Sequence, residues 1–318
     1  MRLEELIPLN NARVTPNDAR NRLLQRLIET EAIRVRRDPQ DLPFWYTSGR
    51  PGPFYINVEN LVGPSVGDIL SRITALLATG VDRAAKAAAI WAIISGELER
   101  DTRYQEAMTL LTDFYRTLET KIPTVISGGE RRDWFFSLPL ARALKLPHLF
   151  LFKDGGQQLV DADGRPLTNL PKGARVLHVS DIVNTSASYF RYWLPTLRTL
   201  DAVCDETLTV AVRAAEGVNK LEEAGVRVLT PVQFDATVVR EAAQLELITS
   251  FARDEIVLYF DSPEQWTRQL LHETGASILN HFAALDDLKR KRACAFITED
   301  PFKLAEEFPD FFQPARCR

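Results

Sequence analysis

A turn rich in small polar residues follows an apolar segment at residues 175–188, RVLHVSDIVNTSAS. Four side chains of this turn can hydrogen-bond to an anion: Asn184, Thr185, Ser186 and Ser188. The N-terminus of a helix attracts phosphate through its unpaired N–H groups, and hydroxyls can add donors. Asp181 can accept hydrogen bonds from sugar hydroxyls or contact the water shell of a metal ion. The stretch therefore predicts a site for a phosphorylated sugar; the alternative is that these residues only cap a helix.

Aromatic and basic residues in a second stretch could hold a planar ligand. In residues 47–61, TSGRPGPFYINVENL, Arg50 offers a planar fork for a carboxylate. Phe54 and Tyr55 offer rings on which a base could stack. The alternative is a structural turn that is packed by the two aromatic residues.

A third stretch carries positive charge on a glycine-rich loop. Residues 128–153 begin GGERRDW, so that Arg131 and Arg132 could bind a diphosphate. The alternative is a solvated charged turn, in which Glu130 and Asp133 offset the two arginines.

The elements that must position these residues are short apolar runs alternating with helix-like segments. The runs that suit buried strands are 124–129, 148–152, 175–179, 207–212 and 226–230. The helix-like segments between them are 134–145, 186–201 and 216–224. This alternation predicts an α/β fold with a mainly parallel sheet flanked by helices. The turn at 180–188 then lies at the carboxyl edge of the sheet, where ligands of such folds bind.

Helical spacing dominates the chain before and after this core. Helical segments are predicted at 17–36, 66–79, 84–119 with a break near Gly96, and from about 236 onward. Asp163-Gly164 indicates the turn of a hairpin at 157–168. We therefore expect three segments: an N-terminal helical and base-pocket region (1–123), an α/β core (124–235) and a mostly helical C-terminal extension (236–318).

Composition narrows the class of protein. The 318 residues carry a net charge of −4 without a long basic run, which argues against a nucleic-acid partner. Residues 1–10 lack an apolar signal core, and the apolar stretch at 84–96 is too short to span a membrane. Three widely spaced cysteines predict a reducing compartment without a disulfide framework, and hence the cytoplasm.

The phosphate-binding stretch resembles the corresponding motif of the type I phosphoribosyltransferases. In that family an apolar strand, two acidic residues and a Thr- and Gly-rich turn bind phosphoribosyl pyrophosphate. This chain keeps the strand, the second acid as Asp181, and Thr185 and Ser188. Ser180 stands in place of the first acid, and Ser186-Ala187 stands where Gly is usual.

The other two stretches resemble members of the same family. Residues 47–61 look like the segment of orotate phosphoribosyltransferases that helps form the base pocket and the dimer contact. ERRDWFFSLPLA resembles adenine-specific members, which carry an Arg at the place of Arg132. The resemblance also implies a basic residue at the end of the next strand, where Lys153 stands, together with Mg²⁺ as cofactor, a homodimer, and a weak contact of Asp181 to the metal through water.

The largest departure lies in the loop at 154–174. In orotate phosphoribosyltransferases a mobile hairpin brings a Lys and a His over the pyrophosphate, whereas this loop offers only Arg165 and Lys172. We expect residues 155–170 to form a mobile excursion with few buried contacts.

These residues lead to two expectations of function. The first is an orotate phosphoribosyltransferase-like enzyme, with reduced or altered activity, that transfers phosphoribose to a nucleobase or similar acceptor. Lys153 and Arg165 would then serve catalysis, and the residues of the three stretches would bind substrate, including the backbone at Ala187. The second is a non-catalytic protein on the same fold that binds a nucleotide, ribose phosphate or another phosphorylated small molecule.

Overall fold

The computed structural model describes residues 15–313 and 317. The expectation for residues 1–10 lies outside the described residues. The chain forms two compact units. The first comprises the described part of Met1–Leu24, Val62–Val210 and Glu216–Val232; the second comprises Gln25–Leu61, Ala211–Ala215 and the described part of Gln233–Arg318. The division into three consecutive segments at 123 and 235 stays a prediction.

Strands and helices occupy the following bounds in the described part of the chain. The strands are β1 Ile33–Val35, β2 Phe44–Trp45, β3 Pro51–Gly52, β4 Phe54–Ile56, β5 Val125–Gly129, β6 His148–Leu151, β7 Gln157–Val160, β8 Pro166–Leu167, β9 Arg175–Val183, β10 Val203–Val212, β11 Arg227–Leu229 and β12 Val232–Gln233. The helices are α1 Pro16–Glu29, α2 Val66–Leu77, α3 Arg83–Arg100, α4 Thr102–Thr117, α5 Trp134–Leu144, α6 Leu194–Thr199, α7 Ala215–Glu223, α8 Ala236–Gln244, α9 Ser250–Asp261, α10 Pro263–His281 and α11 Asp287–Glu299. A π-helical turn at Tyr189–Trp193 leads directly into α6.

The predicted mainly parallel sheet is confirmed. Its strand order is β11-β10-β9-β5-β6-β7-β8. β5 pairs in parallel with both β6 and β9, and β10 pairs in parallel with β11. Every residue of β5 and β6 is buried, as expected for parallel strands covered on both faces. The hairpin β7–β8 extends this sheet in antiparallel pairing.

Two predicted helix boundaries are wrong. α1 ends at Glu29 instead of continuing toward 36, because Glu31 adopts a left-handed φ of 56° and the chain then enters β1. The break in the long helical segment lies at Asp101 instead of near Gly96. The Asp101 carboxylate accepts hydrogen bonds from the N–H groups of Arg103 and Tyr104, and so starts α4.

The helical C-terminal extension is confirmed in the second unit. Ser262 caps α10 through the N–H of Gln265, and Pro263 takes the first helical position. Apolar residues along α10 are buried in a cluster with aromatic residues of α11 and the following segment: Trp266, Leu270, Leu271, Ile278, Phe296 and Phe311. No helix in the described part of the chain is long and apolar enough to cross a membrane.

The prediction that the cysteines form no disulfide is wrong. Cys294 and Cys317 form a disulfide in the second unit, and Cys204 is free. Periodicity could not predict this pair, because the chain turns back after α11 and brings the two Cα atoms within 5.5 Å across 23 residues.

Replacing Cys317 by Ser should lower the free energy of unfolding by about 3 kcal/mol, because the disulfide restricts the unfolded chain. Urea denaturation of the oxidised parent and the variant checks this, and Cys204→Ser is the matched control. Equal midpoints for the parent with and without reductant would contradict the prediction.

Candidate functional site

A cleft of about 280 Å³ opens in the first unit where β5 and β9 end. Nine of the predicted site residues line it: Arg131, Arg132, Lys153, Asp181, Asn184, Thr185, Ser186, Ala187 and Ser188. They come from the loop after β5, the segment just after β6, the end of β9 and the turn that follows β9. The parallel pairing of β5 with both β6 and β9 explains why these distant segments meet at one edge.

The strand that leads into the hydroxyl-rich turn is longer than predicted. β9 continues to Val183, so that Ser180 and Asp181 are strand residues. Because successive side chains of a strand point to opposite faces, the two differ in environment. Both residues line the cleft, but Ser180 is buried and accepts a hydrogen bond from the Tyr189 hydroxyl at 2.8 Å, whereas Asp181 is half-buried. Ser180 thus packs inside the unit.

The turn itself is fixed by Ser186. This residue adopts a left-handed φ of 57°, the conformation for which glycine is usual. Its hydroxyl donates to the carbonyl oxygen of Gly217 at 2.8 Å, which holds the turn against α7. Ala187 is not among the residues with positive φ in the described chain. The residue with the strained backbone is therefore Ser186, and Ala187 does not adopt the left-handed conformation that favours glycine.

The helix-cap alternative does not account for the other polar residues of the turn. Ser188 precedes the π-helical turn without a side-chain cap. Asn184, Thr185 and Ser188 are exposed, and none of their side chains hydrogen-bonds to another residue of the described chain. These three groups are therefore available to a ligand in the cleft.

A second carboxylate stands beside Asp181. Asp133, at the start of α5, accepts hydrogen bonds from the N–H of Gly129 and the N–H of Asp181, both at 3.1 Å. The pKa of Asp181 is raised well above its usual value, first by burial and then by the nearby Asp133 carboxylate. From the sequence, Asp133 was predicted only to offset the charge of the arginines. Its position at the predicted start of a helix was the available signal.

Replacing Asp181 by Asn should stabilise the protein increasingly as the pH rises. A carboxyl with a raised folded-state pKa contributes stability below the ordinary Asp value of 3.8 and loses it as the pH rises through the folded value. Asn does not titrate, so the variant avoids this loss. Thermal unfolding of parent and variant between about pH 3 and pH 8 measures the difference.

The matched control for this prediction is Asp101→Asn. Burial favours a higher pKa for Asp101, but hydrogen bonds from Arg103 and Tyr104 outweigh it and lower the pKa, so this variant should lose stability at neutral pH. An Asp181→Asn variant that is less stable than the parent at pH 8 would contradict the prediction.

The basic residues of the cleft have different surroundings. Arg131 donates to the Thr74 hydroxyl, and Arg132 is exposed. Lys153 is exposed, and its backbone N–H donates to the Glu130 carboxylate at 3.1 Å. All three residues line the same cleft as the hydroxyl-rich turn. They supply the positive charge that a diphosphate would need.

The structure does not bring Arg165 into this cleft. Arg165 is absent from the cleft lining, and its side chain is 76% exposed and pairs with Asp161 and Asp163. The expectation of few buried contacts for residues 155–170 is wrong for β7: Leu159 and Val160 are buried, because β7 pairs with β6 at four positions. The hairpin is thus an edge of the sheet.

The three residues predicted for a base pocket lie in the second unit, where their side chains pack against different partners. Phe54 is only 3% exposed and packs against Phe234, so neither face of its ring is free to stack on a ligand. Side chains along β4 point alternately to opposite faces, so Phe54 points inward and Tyr55 points the other way. Tyr55 is half-buried. Arg50 lies over the ring of Phe302 at 5.2 Å.

The residues of the cleft do not form a protein-made metal site. Among the described residues, no group of three or more His, Cys, Asp or Glu could hold a metal ion. Three acidic residues line the cleft, but Asp133 accepts a backbone N–H at each carboxylate oxygen and Glu130 accepts the N–H of Lys153. The donor set therefore does not fit a metal ion held by the protein alone.

Similar proteins were found among curated proteins and among solved structures. No family model matches the chain. An orotate phosphoribosyltransferase of Rhizobium johnstonii is 24% identical over 144 residues, or 45% of this chain and 60% of that protein. The chain thus spans about three fifths of the length of this curated relative.

The similar solved structures include three enzymes. The UMP synthase of Leishmania donovani has 15% identity and a TM-score of 0.46, over 76% of this chain and 42% of that one. The orotate phosphoribosyltransferase of Aeropyrum pernix has 19% identity and a TM-score of 0.40, over 70% and 99%. The adenine phosphoribosyltransferase of Thermoanaerobacter pseudethanolicus has 18% identity and a TM-score of 0.34, over 43% and 84%. The curated relative belongs to the family that the motifs of this chain resemble.

Proposed function

We propose that the cleft binds phosphoribosyl pyrophosphate and that the chain is an orotate phosphoribosyltransferase-like enzyme. One observation carries the proposal: a turn with available hydroxyls and a left-handed residue shares a cleft with three basic side chains. Such a cleft offers hydrogen-bond donors to a phosphate at one end and positive charge to a diphosphate at the other. In the proposed reaction the bond from ribose C1 to pyrophosphate breaks, pyrophosphate leaves with the electron pair, and a nitrogen of the acceptor bonds to C1 and releases its proton to solvent.

The residues take separate roles in this proposal. The hydroxyls of Thr185 and Ser188, the Asn184 amide and the backbone of Ser186 and Ala187 hold the sugar's phosphate. Asp181 accepts hydrogen bonds from ribose hydroxyls. Arg131, Arg132 and Lys153 hold the pyrophosphate and stabilise the charge that develops on it. Arg50 and Tyr55 are proposed to bind the base.

A second candidate function is binding without transfer. Arg165, proposed as a catalytic residue, pairs with two carboxylates of its own hairpin. Without a further cation over the leaving group, transfer would be slow. Calorimetry with phosphoribosyl pyrophosphate, beside an assay for pyrophosphate release with orotate, separates the two functions. Binding with release supports the enzyme, binding alone supports the second candidate, and the lack of binding contradicts both.

Replacing Thr185 by Val should weaken binding of ribose 5-phosphate five- to thirty-fold, because one donor of about 1–2 kcal/mol is removed and the side-chain shape is kept. Calorimetry measures the dissociation constant. Thr109→Val, on the exposed face of α4, is the matched control. If Thr185→Val binds as tightly as the parent, the hydroxyl does not contact the phosphate.

Two of the remaining parts of the proposal, the cofactor and the assembly, follow from the resemblance. Mg²⁺ would bind with the diphosphate, touching Asp181 through water, and would neutralise charge on the leaving group. The resemblance also leads us to propose a homodimer. The proposals of a cytoplasmic location and of no nucleic-acid or membrane partner rest on charge and hydropathy, since the Cys294–Cys317 disulfide removes the argument from cysteine spacing. Titration of Mg²⁺ against binding of phosphoribosyl pyrophosphate, and sedimentation of the protein, test the cofactor and the assembly.

A further inference from the structure

Two carboxylates from different strand ends meet at the floor of the cleft. Asp133 follows β5, and Asp181 lies in β9. The N–H of Asp181 donates to Oδ1 of Asp133 at 3.1 Å, and the N–H of Gly129 donates to Oδ2 at 3.1 Å. The Asp133 carboxylate is therefore fixed against both strands, directly beside Asp181.

A buried histidine stands behind this pair. His178 is fully buried, and its Nδ1 lies 2.9 Å from the Ser127 hydroxyl oxygen. Its Nε2 is buried without a hydrogen-bond partner in the described chain and lies 3.7 Å from Oδ2 of Asp133. Buried polar atoms rarely stay unpaired, so this nitrogen marks a place where the polar network is incomplete. A shift of Asp133 by less than 1 Å would complete it.

The remaining capacity of the two carboxylates faces the ligand space. A carboxylate offers about four lone-pair sites, and the two backbone N–H groups use two of those on Asp133. Both acidic residues line the same cleft as the hydroxyl-rich turn. Two adjacent acceptors beside a phosphate-binding turn match a phosphate ester that carries two adjacent hydroxyls.

We propose that Asp133 is a sugar-binding residue, which acts with Asp181 to accept hydrogen bonds from the two adjacent hydroxyls of a phosphorylated ribose. The cleft therefore selects ribose phosphates over their deoxy analogues. This inference rests on the proposed function, because it assumes that the turn at 184–188 holds the phosphate. This role could not be predicted from the sequence, because Asp133 directly follows Arg131 and Arg132 and precedes a helix, where an acidic residue is common.

Calorimetry of the parent and of Asp133→Asn, with three probes, tests the proposal. The probes are ribose 5-phosphate, 2-deoxyribose 5-phosphate and inorganic phosphate. The parent should prefer ribose 5-phosphate over the deoxy sugar by about tenfold, as one charge-assisted hydrogen bond implies. Asp133→Asn should reduce this preference to about twofold and leave the affinity for inorganic phosphate within about twofold of the parent.

Asp101→Asn is the matched control, because Asp101 also accepts two backbone N–H groups but does not line the cleft. It should keep the preference of the parent. Should Asp133→Asn fail to fold, carboxyl-carbon NMR of the parent replaces it: the Asp133 signal should shift with ribose 5-phosphate and not with inorganic phosphate.

The outcomes separate this inference from the proposed function. If the parent binds ribose 5-phosphate and Asp133→Asn keeps the full preference, or the Asp133 signal responds equally to both probes, the role of Asp133 is overturned and the phosphate site stands. If the parent binds neither sugar phosphate nor phosphate, the proposed function fails and this inference fails with it.

Discussion

Replacing Gly217 by Ala should abolish most phosphate binding at the hydroxyl-rich turn and lower the free energy of unfolding by about 1–3 kcal/mol. A Cβ atom on Gly217 would overlap the backbone carbonyl of Asn184 and approach the Ser186 hydroxyl at 2.9 Å. Backbone cannot rotate away as a flexible side chain can, so the turn itself must move. Because the turn's amides and hydroxyls must converge on one phosphate, we expect affinity for ribose 5-phosphate to fall at least about tenfold.

Calorimetry and thermal unfolding measure the two effects of Gly217→Ala separately. The matched control is Gly67→Ala in α2, where an added Cβ would meet nothing within 4 Å. That variant should bind ribose 5-phosphate as the parent does and gain up to about 1 kcal/mol of helix stability. Unchanged affinity in Gly217→Ala would show that the turn tolerates displacement and does not bind phosphate through converging amides.

Replacing Glu255 by Ala should lower the free energy of unfolding by about 3–5 kcal/mol, the largest stability effect that we expect in the second unit. Arg36 is only 1% exposed and forms an ion pair with Glu255, which also accepts a hydrogen bond from the Trp266 indole at 2.9 Å. The variant leaves the Arg36 charge buried without its carboxylate, although Arg36 still donates to the Asp41 carbonyl at 2.9 Å. Urea denaturation measures the loss.

A double variant separates two causes of the lost stability: the buried Arg36 charge that has no carboxylate, and the packing that is lost with the Glu255 side chain. Arg36→Met with Glu255→Leu removes both charges and keeps much of the buried volume, so we expect it to recover most of the stability lost in Glu255→Ala. A double variant as unstable as Glu255→Ala would mean that the pair contributes through shape, and that its charges matter little.

The sequence predicted the parts of the fold that repeat locally. Buried parallel strands appear as short apolar runs, and β5, β6 and β11 lie where those runs predicted them. The end of β9 was missed because Ser180 and Asp181 are polar, although the strand continues through them to Val183. Backbone hydrogen bonds between strands do not depend on whether the side chains are polar. Residue composition alone therefore does not show where a strand ends.

Site residues that lie in one continuous segment were predicted, and those that are brought together from different segments were missed. The hydroxyl-rich turn is continuous in sequence, so Thr185 and Ser188 could be chosen from residue type. Asp133 was missed because it approaches Asp181 and His178 only where β5 and β9 lie side by side, and strand order does not follow from periodicity. The burial of Phe54 was missed because an aromatic side chain can either pack in a hydrophobic core or stack on a ligand, and residue type does not distinguish the two.

The hairpin at the edge of the sheet has a consequence for association between molecules. Its outermost strand, β8, consists of Pro166 and Leu167 alone. Pro166 has no N–H, and two residues are too few to template a further strand. This edge is therefore protected against the addition of strands from other chains, so concentrated solutions of the protein should not form fibrils by pairing here. A symmetric dimer must likewise form without pairing two β8 strands.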